Sequence, residues 1–172
     1  MFYCPHCWGD VPENSRLCPA CGRALATDGE TFVEKLIAAI HHTEPTRAAL
    51  AIQVLSEMLA EPRAIPPLIG LLDTAHDAYV LRSAVLALGR FADRRAVPAL
   101  RRVMLDSETS LIVRAAVVDA LAQIGGGEAR QALGQALTDP SASVRKRACQ
   151  ALRDWRRADG ETRVPSVGGG TT

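Results

Sequence analysis

One periodicity governs this chain. Leu55, Leu88 and Leu121 stand 33 residues apart, Leu152 follows 31 further on, and Asp73, Asp106 and Asp139 mark the same 33-residue step. Two unrelated residue types keeping one period point to stacked supersecondary units, each burying its apolar face against the next. Residues 80–106, VLRSAVLALGRFADRRAVPALRRVMLD, show the unit best. Composition decides its class: the chain is 48% hydrophobic but only 4% aromatic. Ala, Leu, Val and Ile therefore do the packing, which suits close-packed helices better than sheets.

The spacing predicts eight helices after a short polar linker at residues 24–30. The first places Val33, Leu36, Ile37 and Ile40 on one face at i, i+3, i+4, i+7. Helices over 47–60, 64–72, 78–92, 95–105, 111–124, 128–137 and 142–156 follow. The second is expected to bury Ala51, Ile52, Leu55 and Leu59, and the seventh Ala132, Leu133, Ala136 and Leu137. Pro66, Pro67 and Pro98 fall in first turns, where the missing N–H costs nothing, and the run Gly125-Gly126-Gly127 stops the sixth helix. Around Leu81-Arg82 the pattern reads as one extra residue, which throws Arg82 out of phase with Arg114 and Arg145. Those two arginines begin their helices beside Asp turns and are expected to pair with Asp106, Asp139 or neighbouring helix ends. Cys149 and Trp155 read as core of the last helix, and residues 158–172, without periodicity, as a disordered tail.

In each later unit a helix of about ten residues ends at an Asp turn and one of about fourteen follows. The matching residues are Val113-Arg114 and Val144-Arg145, Ala87-Leu88, Ala120-Leu121 and Ala151-Leu152, and AVPAL at 96–100. This resembles the HEAT repeats, most closely the short bacterial subtype found in phycobilisome lyase subunits. The third unit departs in having Gln131 where Pro98 stands, and the first pair is the most diverged, as a capping unit would be. The resemblance covers residues 31–157 and implies an all-α, right-handed solenoid of four helix pairs that exposes its second helices on the concave side.

Residues 1–23 carry a separate signal, Cys4, Cys7, Cys18 and Cys21 in the pattern C-x2-C-x10-C-x2-C. Two residues between paired cysteines let one tight turn aim both thiolates at one ion, and two such turns complete the tetrahedral sulfur cage that zinc prefers. The segment offers little apolar core beyond Phe2, Tyr3, Trp8, Val11 and Leu17, so one structural Zn2+ must supply its folding energy, on the order of 10 to 16 kcal/mol. Rubredoxin-type iron and disulfide or redox use are the alternatives. CPHC and CPACG resemble the two knuckles of a short zinc ribbon, with Trp8 standing where such ribbons commonly have Gly. His6, between ligands, reads as an exposed turn residue.

The formal charge is +1, and the segment 126–172 is basic by three while 1–30 is acidic by two. Such a balance does not suit a general polyanion binder. On the second helices, one row at the repeat spacing holds Gln53, Leu86, Asp119 and Gln150, and the next Glu57, Arg90, Gln123 and Asp154. Without a stripe of Lys and Arg, these rows point to a protein or peptide partner rather than a duplex. Arg145, Lys146, Arg147, Arg153, Arg156 and Arg157 form the denser cluster, a candidate anionic docking patch that keeps nucleic acid open as the alternative partner.

His41, His42 and His76 are the remaining ligand candidates. HEAT-repeat hydroxylases hold iron through His-Glu pairs recurring in several units, whereas HHTE at 41–44 occurs once here. No nucleophile motif, phosphate loop or paired-carboxylate motif is present. The expectation is a non-enzymatic, cytoplasmic scaffold or adaptor with a zinc ribbon; a chromophore-lyase-like subunit follows only by analogy of fold. No signal segment or membrane span is evident, since the most apolar stretch, 65–72, is broken by Pro66, Pro67 and Gly70.

Overall fold

The computed structural model describes residues 2–4, 7, 9–12, 15, 17–23, 25 and 32–161. Eight α-helices are found among them: α1 (Phe32–Ala39), α2 (Pro45–Gln53), α3 (Ile65–Thr74), α4 (Ala78–Phe91), α5 (Val97–Leu105), α6 (Leu111–Ile124), α7 (Gly127–Ala136) and α8 (Ala142–Glu161). Two short strands, β1 (Phe2–Tyr3) and β2 (Asp10–Val11), precede them.

The period of the sequence is the period of the core. Leu55, Leu88 and Leu121 are fully buried, and the first helices of the pairs answer with Leu68, Leu100 and Leu133. Ala64, Ala96 and Ala129, each four residues ahead of one of those leucines, are buried as well, small enough to let adjacent helices approach. The second helices α2, α4, α6 and α8 stack side by side, while α3, α5 and α7 form the other layer. The approach of α4 to α6 is so close that a Cβ on Gly89 would stand 2.9 Å from the Ala120 Cα. The second-helix layer is therefore the tightly spaced one, and curvature makes it the inner side. Leu152 and Trp155 in α8 and Val33, Leu36 and Ile37 in α1 are only partly buried, as end units with one neighbour must be.

Local chemistry sets the boundaries. Asp77 caps α4 by accepting from the backbone N–H groups of Tyr79 and Val80 at 2.8 and 3.0 Å. A 3-10 turn leads into α3 (Pro62–Ala64) and another into α5 (Arg94–Ala96), each capped by an acid, Glu61 or Asp93, that takes the N–H of the arginine two residues on. The third unit has no such acid, and α7 starts directly after the left-handed glycines Gly125 and Gly126.

Several expectations are corrected. Leu59 is exposed rather than buried, because Val54–Met58 form a π turn that widens and underwinds the end of α2 and carries the following residue off the core face. Leu137 is exposed because α7 ends one residue earlier. Asp77 and Ser110, the residues preceding α4 and α6, are 33 apart, and both helices have 14 residues, so nothing is inserted near Arg82. The expected disordered tail is helical through Glu161, since an established helix adds residues at little cost; residues 162–172, and the expected linker apart from Leu25, lie outside the described residues. Cys149 is half-buried rather than core.

Candidate metal centre and interaction face

The two cysteine knuckles are built alike. In the first, the Cys4 N–H donates to the Gly9 carbonyl at 2.9 Å; in the second, the Cys18 N–H donates to the Arg23 carbonyl at 2.8 Å, the same five-residue step. Gly22 closes the second turn with φ +68, a conformation that suits glycine, and donates to the Cys18 carbonyl. The β1–β2 pair, Phe2 opposite Val11 and Tyr3 opposite Asp10, clamps the first knuckle. Gly9 lets the knuckles meet, since a Cβ there would lie 3.1 Å from the Ala20 Cβ. His6 and Trp8 lie outside the described residues. Leu17 is exposed, so Cys4, Val11 and Cys18, with Leu25 against them, make the small core.

The four sulfurs converge, all within 4.8 Å of one another, with Cys4 to Cys21 at 3.7 Å and Cys7 to Cys18 at 3.6 Å. Metal–sulfur bonds of about 2.3 Å in a tetrahedron put neighbouring sulfurs about 3.8 Å apart. The spacing fits a shared ion and is far too long for disulfides, and none of the four cysteines is in a disulfide. Charge makes the same point. The Gly9 N–H lowers the Cys7 thiol pKa, but desolvation and the sulfurs of Cys18, Cys21 and Cys4 outweigh it and push the thiol up to about 12. Four thiols this close do not ionise together at neutral pH unless a cation takes the charge. Among the described residues this is the one set of three or more Cys, His, Asp or Glu whose ligand atoms converge.

On the inner layer the two rows are joined across units. Arg90 reaches Glu57 at 2.6 Å, and Gln53 donates to the same carboxylate at 2.9 Å. Gln150 donates to Asp154 at 2.9 Å. Gln123 faces Gly89 closely, with Oε1 3.0 Å from where a Cβ would stand, and Leu86 lies half-buried between hollows. The basic cluster does not act as one patch. Arg145 turns back onto the carbonyls of Asp139 and Pro140, Arg147 pairs with Asp119 at 2.7 Å, and Arg157 lies 3.8 Å from Asp154. Lys146, Arg153 and Arg156 remain exposed. Trp155 packs against the core and lies under the Arg130 guanidinium, 5.9 Å from the ring centre.

The first turns of α4 and α6 carry features that sequence reasoning missed. Tyr79, Leu111 and Ile112 are 54%, 50% and 62% exposed, an apolar rim on the inner layer. Arg82, between them, borders both hollows. The equal spacing of the Asp77 and Ser110 caps was the available signal. His41, His42 and His76 line a third hollow together with Asp77, between the α1–α2 and α3–α4 turns.

No helix among the described residues is long and apolar enough to cross a membrane. Comparison with known proteins gives a match to HEAT repeats over residues 33–116 and 104–164. No curated protein sequence matches. Among solved structures, human deoxyhypusine hydroxylase in complex with glycerol is similar, with 25% identity and a TM-score of 0.65 over 80% of this chain and 48% of the hydroxylase. The chain thus spans about half the length of that structure. The expectation of a non-enzymatic chain is overturned by this finding, since an enzyme is built on the same fold. The absence of sequence motifs was a poor guide because the packing that the repeats encode does not decide whether a site is built on the fold.

Proposed function

This chain belongs to the HEAT repeat family, and from that premise we propose that it is an interaction scaffold that binds a protein or peptide on its inner, second-helix face. The observation that carries the reading is the make-up of that face. Four of its charges are spent on one another through Glu57–Arg90 and Asp119–Arg147, while Tyr79, Leu111 and Ile112 stay exposed beside two hollows. Such a surface favours an apolar, shape-matched partner over a polyanion, which would need unpaired cations in a stripe. Gln53, Leu86, Asp119 and Gln150 with Glu57, Arg90, Gln123 and Asp154 form the contact surface. The test is capture of partners by the full chain against a variant with Gln53, Leu86, Asp119 and Gln150 all replaced by Arg, its helicity checked by circular dichroism. Loss of capture is expected; unchanged capture sinks the reading.

The cysteine module is a zinc ribbon, with Cys4, Cys7, Cys18 and Cys21 holding one structural Zn2+. When bound, the ion supplies the folding energy that three buried side chains cannot. Thiolate sets of this shape accept iron as well, so the assignment is checked by metal analysis of the purified chain: one equivalent of zinc and a colourless preparation are expected, and iron with visible absorption would replace it.

A further inference from the structure

Within that face, among the described residues, Arg82 is a cation left over beside the two hollows. Glu57, Arg90, Asp119 and Arg147 neutralise each other in two ion pairs, whereas Arg82, exposed on α4, has no hydrogen bond or ion pair with the described residues. Its position is central. One hollow of about 160 Å³ lies on the α2 side, floored by Ala49 and Ile52 with Tyr79 and Leu86 at its wall. Another of about 180 Å³ lies on the α6 side, walled by Leu111, Ile112 and Ala115. Arg82 and Leu86 border both.

We propose that this groove takes an extended acidic peptide in which two apolar side chains three residues apart fill the hollows and a carboxylate between them meets Arg82. The inference rests on the reading of the second-helix face as a binding face, and names its partner's chemistry. Geometry supports the spacing. Hollows flanking one helix are separated by about one interhelical distance, 8–10 Å, and three residues of extended chain at about 3.1–3.3 Å each cover it. In a polyproline-type extension, residues three apart also share a face. Charge supports the acid, because the unpaired guanidinium presents a planar fork suited to a carboxylate. The arginine faces the groove because of where it stands. Arg114, one position earlier in its helix, is turned to the Asp139 carboxylate, and Arg82 is rotated about 100° from that direction. Two units on, the matching position holds Lys146, also exposed, so the free cation recurs along the face.

The test uses the full chain and two fluorescein-labelled peptides, Ser-Gly-Leu-Ala-Glu-Leu-Gly-Ser and the same sequence with Gln for Glu, titrated at low salt by fluorescence anisotropy. The glutamate peptide is expected to bind about fivefold more tightly than the glutamine one, the size of an exposed charge pair. Arg82→Gln should abolish that preference, while Arg101→Gln on the outer layer leaves it intact. Equal binding of the two peptides, a preference that survives Arg82→Gln, no binding of the glutamate peptide, or tighter binding of a fluorescein-labelled oligothymidine would each overturn the proposal. The scaffold reading is judged separately by partner capture with the four-arginine variant, so a face that captures partners but ignores peptide charge removes only this inference.

Discussion

The guanidinium of Arg114, in the first turn of α6, grips both carboxylate oxygens of Asp139, 25 residues away in the turn before α8, with Nε at 2.8 Å and Nη2 at 3.3 Å. The side chains are only 11% and 5% exposed. Arg114 also donates to the Thr109 carbonyl, and the Asp139 carboxylate accepts the Ser141 N–H at 2.7 Å, so one ion pair ties the turn before α6 to the start of α8. Removing one partner strands a buried charge, at about 3–5 kcal/mol. Arg114→Ala should therefore lower the melting temperature by on the order of 10 °C, whereas Arg114→Met with Asp139→Leu should recover most of the loss. A double variant as unstable as the single would mean that the pair contributes through something other than mutual neutralisation.

Ala92, after α4, has φ +51, and Gly125, after α6, has φ +71 with ψ −177. Left-handed backbone costs a residue with a Cβ about 1–2 kcal/mol, partly offset in glycine by lost chain freedom. Ala92→Gly should stabilise the array by about 0.5–1 kcal/mol, and Gly125→Ala should destabilise it by about 1–3 kcal/mol, because its ψ is accessible almost only to glycine. Urea midpoints of the two variants moving in the same direction would refute the argument.

The sulfur cage predicts coupled loss of metal and of the N-terminal fold. Cys4→Ser or Cys18→Ser, at the buried ligands, should leave less than half an equivalent of metal by elemental analysis, with the helical circular dichroism of the array retained. Protons compete with the metal for the thiolates, so affinity should fall as pH is lowered from 7 and metal should leave before the helices unfold. A chelator that melts the whole chain at once would show that the module and the array are one folding unit.

Asp93 caps the turn before α5 while the Arg95 side chain, and then its backbone N–H, hold the carboxyl below its ordinary 3.8. A carboxyl depressed in the folded state contributes stability that is present above its unfolded pKa and lost as pH falls through the folded one. Thermal stability should therefore decline below about pH 4, and Asp93→Asn should flatten that limb while costing stability at pH 7. A variant with the parent's acid profile would assign the decline to other carboxylates.

What was legible in the sequence was what repeats. Leu55, Leu88 and Leu121 each face the same environment, so their period reports the stack directly, and C-x2-C pairs need only their own turn to aim at an ion. Asp73, Asp106 and Asp139 kept the period too, yet their roles diverge. Asp73 pairs with Arg102, Asp106 turns the chain toward Thr109, and Asp139 is buried with Arg114. Partners across units depend on helix rotation and on which neighbour is long enough to reach, and no period encodes that. The π turn that expelled Leu59 belongs to the same class.

Gly89 tests the curvature itself. It is buried in α4 where a Cβ would stand 2.9 Å from the Ala120 Cα, 3.0 Å from its Cβ and 3.0 Å from Oε1 of Gln123. The side chain of Gln123 can swing away, but the backbone of α6 cannot. In a free helix Gly→Ala would gain about 1 kcal/mol; here overpacking should reverse the sign, for a net loss of about 1–2 kcal/mol. Ala120→Gly in the same chain removes the Cβ contact and leaves the closer Cα one, so rescue should be partial. Full rescue would place the obstruction in side chains alone. Because the inner helices can then only separate, Gly89→Ala should also widen the face between α4 and α6, and partner affinity should fall even where the array remains folded at the assay temperature.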